Sequence, residues 1–339
     1  MTTLITGATG FLGTAVVERL LRRGESRLRC FVRPNSPVER LQAIEATYRG
    51  AKLEIVTGNL TSARDAHHAL EGISIVYHLA AEMRGAPATI FLNTVVASHR
   101  LLEAARELKP ERIVLVSSLS VYDTAQLHAG ALIDETAQLE QHPERRDDYS
   151  HAKLWQEMLF REHETRTSCE LIIVRPGPVY GPGTAHFSAR VGIELGGWLL
   201  HFGRQNVLPL TYVDNCAEAI VVAGKESKAS NVYNVVDDDL PTSSEYVAAY
   251  FKQIGVVRSI SFPFFAVKTL SVAAEKYQLR IQRRARAMLT PYQCASLWKG
   301  HQFSNQKLKS LGWLQLVSTT EAMQKSFEYL RFQNNICDP

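Results

Sequence analysis

The stretch that most constrains the fold runs from Thr6 to Gly13 and carries glycines at positions 7, 10 and 13. A short apolar run precedes it, and a segment with apolar residues at helical spacing follows it. This order predicts a strand, a tight glycine turn and a helix. The first glycine can form the turn, the second lets backbone approach a pyrophosphate, and the third lets helix and strand pack closely. A nucleotide site is the favoured interpretation, and a plain structural turn is the alternative.

The composition is that of an ordinary globular protein and excludes several classes. The chain has 339 residues, 45% of them hydrophobic and 21% charged, enough for one elaborated domain or two. Lys plus Arg minus Asp plus Glu is 38 − 34 = +4, too mild to predict a nucleic-acid partner. We expect a reduced, cytoplasmic protein, because the five cysteines are odd in number and scattered. We expect no signal peptide, because the first strand is predicted to start at residue 2 or 3, and no membrane span, because the longest apolar runs are interrupted or too short. The histidines at 67, 68, 128 and 142 lack companions at ligand spacing, so no metal site is expected.

Strand-like and helix-like runs alternate through the first half, which predicts an α/β fold with a doubly wound parallel sheet covered on both faces. After the first strand, further strands are expected at 28–32, 53–57, 73–78, 113–117 and 171–175. Helices are expected at 37–48, 89–108 and 149–163.

The regularity changes after residue 180. Residues 181–206 are glycine-rich and are expected to form a covering segment rather than another sheet layer. A helix at 214–224 is expected to return to the first domain, followed by a strand at 231–236 and helices at 241–255 and 318–332. The predicted division is a nucleotide-binding domain of residues 1–180 with 207–228 returning to it, and a smaller substrate lobe of residues 181–206 and 229–339.

Tyr149 and Lys153 stand four residues apart, which places a phenol and an ammonium one turn apart on one helix face. A nearby ammonium and an oxidised nicotinamide both favour the phenolate and would lower the high pKa of tyrosine. Tyr149 is then a competent general acid–base for alcohol–ketone interconversion. Tyr48 and Lys52 have the same spacing, but an intervening glycine and an approaching strand predict surface residues there.

Residues 117–122 follow the fifth predicted strand and contain three serines. A hydroxyl at this position can hydrogen-bond the reacting oxygen beside the phenol. The alternative is a loop whose hydroxyls cap local backbone groups.

Together these motifs resemble the extended short-chain dehydrogenase/reductases, over nearly the whole chain. The motifs that carry the resemblance are residues 6–13, 78–81, 117–122, 149–153, 175–183 and 211–215. The resemblance implies a Rossmann sheet with a small C-terminal substrate lobe, usually in a homodimer. It also implies Ser118 as catalytic serine, Tyr149 as acid–base, and Lys153 as a catalytic residue that holds the nicotinamide ribose.

The resemblance and the glycine motif together give a set of cofactor-binding candidates. They are Gly7, Thr9, Gly10, Phe11, Leu12, Gly13, Arg33, Asn59, Leu60, Ala80, Ala81, Lys153, Pro176, Gly177 and Val179. Arg33 follows the second strand, where an acid would bind the ribose hydroxyl of NAD and an arginine suits the phosphate of NADP. NADP is therefore preferred over NAD, and a solvated surface arginine is the alternative. Asn59 replaces the usual aspartate near adenine, and Thr94 replaces a structural asparagine.

Two branches of the resemblance differ in substrate. Sugar-nucleotide enzymes commonly carry Asn where this chain has Pro178, and Leu119 stands where dehydratases place an acid. The other branch comprises 3β-hydroxysteroid dehydrogenases, sterol-carboxylate dehydrogenases and dihydroflavonol-type reductases, and the C-terminal pattern at 289–313 resembles theirs. Residues 262–270 would suit a lid over an apolar substrate, although ordinary core packing is favoured. The arginines at 280, 283, 284 and 286 could contact an anionic membrane or substrate, with a solvated helix face favoured.

Three functions follow as hypotheses. The leading one is an NAD(P)-dependent oxidoreductase that interconverts a secondary alcohol and a ketone on a small apolar substrate. The alternative is a nucleotide-diphosphate-sugar 4-epimerase with tightly held NAD. The third is a non-catalytic dinucleotide-binding regulator, which need not keep Ser118, Tyr149 and Lys153.

Overall fold

A computed structural model describes residues 1–184, 188–255, 258–280 and 290–337. Its strands, in chain order, are β1 Thr3–Thr6, β2 Arg27–Val32, β3 Lys52–Thr57, β4 Ile75–His78, β5 Arg112–Val116, β6 Leu132–Ile133, β7 Glu170–Pro176, β8 Val179–Tyr180, β9 Gly192–Leu195, β10 Trp198–Phe202, β11 Thr211–Tyr212, β12 Asn231–Val235, β13 Arg258–Phe262 and β14 Gln302–Phe303. Seven of these strands form one parallel sheet in the order β12-β7-β5-β4-β1-β2-β3. The predicted doubly wound α/β fold is therefore confirmed.

The helices cover this sheet and build a second layer beyond it. They are α1 Phe11–Arg22, α2 Glu39–Thr47, α3 Ala63–Leu70, α4 Pro87–Phe91, α5 Ala97–Leu108, α6 Asp148–Arg166, α7 Val213–Glu226, α8 Ser243–Gln253, α9 Phe264–Arg280, α10 Pro291–Trp298, α11 Gln306–Lys309 and α12 Thr319–Cys337. Local sequence explains where α8 and α10 begin, since Thr242 and Thr290 each form a capping box with the residue three positions later. The helix expected at 89–108 begins earlier and contains a π-helical turn, Leu92–Val96, between α4 and α5.

Two hydrophobic clusters hold the sheet between its helices. One includes Ile5, Val114 and Val174 on the α1 and α7 side, and the other includes Leu4, Leu101 and Ile113 on the α3 and α5 side. Neighbouring residues of a strand thus face opposite clusters, as a sheet buried on both faces requires. Helix α7 packs against α1, and the division of the chain into two domains stays a prediction.

The region after residue 180 departs from the expectation of a covering segment without strands. Strands β9 and β10 form an antiparallel hairpin, and β13 adds to β10 in parallel. Gly196 and Gly197 form the two-residue turn of the hairpin with φ angles of 56° and 78°. A Gly-Gly pair between strands favours such a turn because both positions need positive φ. This part of the chain is therefore a second, three-stranded sheet.

Two further expectations concern the C-terminal region. Strand β12 lies in the large sheet beside β7, so the strand expected within the lobe from residue 229 belongs structurally to the first sheet. In the segment 262–270, Phe262, Phe264 and Val267 pack in a cluster with Trp298, whereas Phe265 is 79% exposed. Core packing thus accounts for part of this segment. The arginines at 283, 284 and 286, the side chain of Arg280, and Leu289 lie outside the described residues.

Candidate active site

The glycine turn between β1 and α1 has the geometry that its sequence predicts. Gly7 has φ of +71°, and a Cβ there would lie 3.0 Å from the backbone nitrogen of Ala80. A Cβ on Gly13 would lie 2.0 Å from the carbonyl oxygen of Gly7, so only glycine lets α1 approach the turn this closely. Gly10 forms the N-cap of α1 and donates its N–H to the carbonyl of Gly7 at 3.0 Å.

The N-terminus of α1 has the properties of an anion site. Within the described residues no side chain caps this helix, and its first turn contains no acidic residue. The candidates Thr9, Phe11 and Leu12 lie at this end of the helix, each of them partly exposed. Unpaired N–H groups and the positive end of the helix dipole favour a pyrophosphate at such a position.

Three other cofactor candidates lie at the carboxyl ends of neighbouring strands. Arg33 follows β2, is exposed, and places Nη1 3.3 Å from Oε2 of Glu82, which lies in the loop after β4. Asn59 follows β3 and accepts the Thr61 N–H on its Oδ1 at 3.1 Å. Leu60 is buried in the core, which leaves backbone rather than side chain for any contact with a ligand.

The candidates Ala80 and Ala81 follow β4 and are partly exposed beside the Gly7 turn. On the other side of the sheet, Pro176 and Gly177 end β7, and Val179 begins β8. A Cβ on Gly177 would lie 1.8 Å from the carbonyl oxygen of Pro209, so this position also needs glycine. Because the sheet is parallel, all these segments meet at its carboxyl edge, where ligands of such folds bind.

Helix α6 brings the catalytic candidates to the same edge. Asp147 caps it by accepting the Ser150 N–H at 2.9 Å, which fixes Tyr149 in the first turn. The Ser118 hydroxyl accepts the Ser120 N–H at 3.1 Å, and it lies close enough to the Tyr149 phenol to act against the rise in the pKa of that group. The local backbone cap is therefore seen at Ser118, whereas its contact with a reacting oxygen stays a prediction.

The pKa of Tyr149 differs from the expectation of a lowered value. Burial raises it to about 12, with the hydrogen bond from Ser118 acting in the opposite direction and the charge of Asp147 adding to the rise. The expectation was wrong for the protein by itself, because the ammonium of Lys153 is directed elsewhere. Its Nζ donates to the Val116 carbonyl at 2.6 Å and to Oε1 of Gln156.

Gln156 was not singled out from the sequence, yet it connects Lys153 to a buried polar group of neighbours. Its Nε2 lies 2.7 Å from Oγ of Ser98 and 3.3 Å from the carbonyl oxygen of Ala80. His78 completes the group, with Nδ1 2.8 Å from Oγ1 of Thr6 and Nε2 2.9 Å from Oγ of Ser98. Burial and the Lys153 charge lower the pKa of His78 to about 3, so the ring is neutral at pH 7.

A second buried cluster lies beside this group and was also missed. Glu157 accepts hydrogen bonds from Arg175 at 3.1 Å and from the Ser117 hydroxyl at 2.6 Å. The Arg175 guanidinium in turn stacks on the ring of Tyr122, 4.5 Å from its centroid. The spacing of Glu157 four residues after Lys153 gives no hint of this pairing, because the strand supplying Arg175 is distant in sequence.

The described residues contain no group of three His, Cys, Asp or Glu side chains able to hold a metal ion. Nor does any helix in the described ranges have the length and apolarity needed to cross a membrane.

Fold and site together define a dinucleotide-binding protein of the α/β class. Residues 3–236 match the model of the NAD dependent epimerase/dehydratase family. The chain therefore belongs to that family, and the resemblance drawn from its motifs is confirmed.

Individual relatives fall into two chemical groups. The chain is 24% identical over 365 residues to 3beta-hydroxysteroid-dehydrogenase/decarboxylase isoform 1 of Arabidopsis thaliana, covering 98% of this chain and 80% of that protein. It is 26% identical over 341 residues to 2-alkyl-3-oxoalkanoate reductase of Shewanella oneidensis, covering 95% and 84%. It is also 26% identical over 245 residues to UDP-glucose 4-epimerase of Vibrio cholerae, covering 69% and 70%.

Solved structures agree on the fold. The crystal structure of gox2253 has a TM-score of 0.78 at 22% identity, covering 98% of both chains. UDP-glucose 4-epimerase of Thermus thermophilus in complex with NAD has a TM-score of 0.70 at 20% identity, covering 98% of this chain and 99% of that one.

Proposed function

We propose that the protein is an NAD(P)-dependent oxidoreductase that interconverts a secondary alcohol and a ketone on a small, largely apolar substrate. The observation that carries this proposal is the approach of the Ser118 hydroxyl to the Tyr149 phenol, close enough to act on the pKa of the phenol, with Lys153 one helical turn further on. Two of the relatives that match nearly all of this chain are named a dehydrogenase/decarboxylase and a reductase, which supports the same chemistry.

The cofactor would bind along the edge formed by the glycine turn and the loops after the strands. The uncapped N-terminus of α1 would hold the pyrophosphate, and Ala80, Ala81, Pro176, Gly177 and Val179 would line the rest of the site. Arg33, 67% exposed at its side chain, would meet the ribose phosphate of NADP, so we propose NADP as preferred and NAD as the alternative. When bound, the nicotinamide supplies or accepts the hydride.

The chain's own residues would manage the proton and the oxygen. In reduction, the Tyr149 hydroxyl donates its proton to the carbonyl oxygen, and Ser118 donates a hydrogen bond to the same oxygen. In oxidation, the Tyr149 oxygen takes the proton back from the alcohol. A pKa of about 12 suits the proton donor, and base function requires a positive charge near the phenol to lower it. Lys153, turned from its inward contacts towards the ribose, would provide that charge.

A nucleotide-sugar 4-epimerase remains the second candidate, since the Vibrio cholerae relative and the Thermus thermophilus structure carry that name. The same three residues would serve it, with NAD retained through the cycle. A non-catalytic regulator is the third hypothesis. The contact between Ser118 and Tyr149 weighs against it, because a binding protein gains nothing from that pairing. A homodimer and a cytoplasmic location stay predictions.

The test compares Tyr149→Phe with Tyr48→Phe, a matched control whose phenol has the same spacing to a lysine but bonds Arg22 on the surface. Both variants are assayed with NADPH and NADH against a panel of hydrophobic ketones, and cofactor binding is followed by fluorescence. We expect Tyr149→Phe to lower turnover by about 10³-fold while cofactor binding is kept, and Tyr48→Phe to match the wild type.

Retained turnover in Tyr149→Phe would overturn the assignment. The epimerase would take its place if the purified wild type kept NAD through dialysis and interconverted UDP-glucose and UDP-galactose without net oxidation. Cofactor binding without either activity would favour the regulator.

A further inference from the structure

Arg190 lies on a short turn that the fold anchors from both sides. The Val191 N–H donates to the Ser188 carbonyl at 3.0 Å, and the indole of Trp298 donates to the Ala189 carbonyl at 3.1 Å. Val191 itself is buried in the core. The backbone that carries Arg190 is thus tied both to the main core and to helix α10.

The Arg190 guanidinium is only partly exposed and lacks an acidic partner. Its Cζ lies 5.6 Å from the ring centroid of Phe303, and the charged or titratable groups facing it are Arg146 and His301. Across the described residues it forms no ion pair or side-chain hydrogen bond. The buried arginines Arg146 and Arg175 differ, because each is paired with a glutamate.

Nothing nearby among the described residues neutralises this charge. Glu140, the acid paired with the neighbouring Arg146, already accepts hydrogen bonds from Arg146 at 3.1 Å and from the Tyr292 hydroxyl at 2.5 Å. Burial lowers the pKa of His301 to about 4, so that ring is neutral. Burial and the Arg146 charge lower the pKa of Arg190 to about 10, which still leaves it protonated at pH 7. A poorly solvated cation without a counter-ion is unfavourable unless a ligand supplies one.

The turn is linked to the segments that carry the candidate catalytic residues through Phe303 and Arg146. Phe303, under the guanidinium, packs in one cluster with Leu119, which directly follows Ser118. Arg146, whose charge acts on Arg190, directly precedes the N-cap of α6 and stands three residues before Tyr149. Arg190 is therefore connected by one residue on each path to the segments of Ser118 and Tyr149.

We propose that Arg190 binds a carboxylate of the substrate, so that the protein acts on an oxo or hydroxy acid rather than on a neutral ketone. This inference rests on the proposed oxidoreductase function and names its substrate class. The planar guanidinium can hold both carboxylate oxygens at once, which would also fix the orientation of the substrate beside Tyr149. A diphosphate offers the same anionic chemistry, and the experiment separates the two.

The test uses 3-oxodecanoate and its methyl ester, which differ in charge but share the ketone and the alkyl chain. The variants are Arg190→Met, which keeps the apolar stem over Phe303, and Arg204→Met, a control at an exposed arginine of the same region. We expect the wild type to favour the acid, and Arg190→Met to lower kcat/KM for the acid by about 10- to 100-fold. The ester and the control variant should be unaffected.

A binding arm separates this inference from the proposed function. Decanoate and UDP-glucose are titrated into wild type and Arg190→Met in the presence of NADPH. Turnover of acid and ester with equal efficiency would overturn the carboxylate site while leaving the oxidoreductase intact. Arg190-dependent decanoate binding without any turnover would uphold the site and overturn the function. Arg190-dependent binding of UDP-glucose alone would overturn the carboxylate and identify a diphosphate.

Discussion

Two regions of this molecule differ in whether a poorly solvated charge has a partner of opposite charge. Beside the large sheet, Glu157 is fully buried, yet it is surrounded by Arg175, Arg161 and the Ser117 hydroxyl. Burial alone would raise the pKa of Glu157, but these donors hold it below its ordinary value. On the turn before β9, Arg190 has an aromatic ring and a second arginine for neighbours and no carboxylate partner among the described residues.

The difference separates groups that hold the scaffold from groups that meet a ligand. A buried charge whose partners all come from the chain stabilises one packing of that chain, and its loss is felt in folding. A buried charge without a partner lowers the stability of the fold, and a bound ligand of opposite charge can offset that loss. Lys153 stands between these cases, since its amine is buried but donates to neutral oxygens of Val116 and Gln156.

The largest loss of stability is expected from removing the charge of Glu157, which is surrounded by Arg175, Arg161 and the Ser117 hydroxyl. Glu157→Gln leaves Arg175 buried without its counter-ion, so we expect a loss of about 3–5 kcal/mol in the free energy of unfolding. The matched control is Glu162→Gln on the same helix, whose pairing with Arg166 is exposed and worth less than about 0.5 kcal/mol. Urea titration followed by circular dichroism measures both.

The double variant with Arg175→Met sharpens this comparison. Removing both charges should recover part of the stability, because no ion is then left unpaired. If Glu157→Gln were no worse than Glu162→Gln, the cluster would not be the stabilising element that its geometry indicates.

An intermediate effect is expected from Lys153. Burial lowers the pKa of its amine to about 7, although the charge of Glu157 acts to raise it. Between this value and the ordinary lysine value the unfolded chain binds more protons than the folded one, so stability rises with pH. From pH 7 to pH 8.5 the wild type should gain on the order of 1–2 kcal/mol that Lys153→Met does not gain. Urea midpoints at the two pH values, with the partly exposed Lys309→Met as control, measure the difference. Equal pH dependence in wild type and Lys153→Met would contradict the lowered pKa.

Sequence reasoning located the parts of the site that depend on local pattern. The glycine turn, the order of strands and the capped helix carrying Tyr149 follow from residues adjacent in the chain, so periodicity and turn chemistry suffice. Signals for two missed elements were also local. Ser62 caps the unpredicted helix α3, and the Gly196-Gly197 pair marks the unpredicted hairpin.

The remaining features depend on contacts between distant segments. The parallel pairing of β10 with β13 joins residues about sixty positions apart, and no local pattern encodes such a register. Gln156 reads as an ordinary helix residue until the sheet brings Ala80 and Val116 beside it. Arg190 differs from any surface arginine only in what surrounds it. Local pattern therefore predicted the candidate reacting groups, whose roles stay predictions, whereas the partners of buried charges required the structure.

The smallest effect on stability is expected at Arg33, an exposed arginine with one weak ion-pair partner. Arg33 meets only Glu82 among the described residues, at 3.3 Å, and is mostly exposed. Arg33→Ser should leave the unfolding free energy within about 0.5 kcal/mol of the wild type. We expect it to weaken NADPH binding about fivefold to tenfold and to leave NADH binding unchanged, because only NADP carries the extra phosphate.

Glu82→Gln should strengthen NADPH binding slightly by removing the competing carboxylate, and exposed Arg40→Ser serves as the control. Fluorescence titration measures all four proteins. Equal weakening of both cofactors, or of neither, would show that Arg33 does not read the phosphate. Arg33 and Arg190 would then differ in burial, and they would not share a role in binding anions.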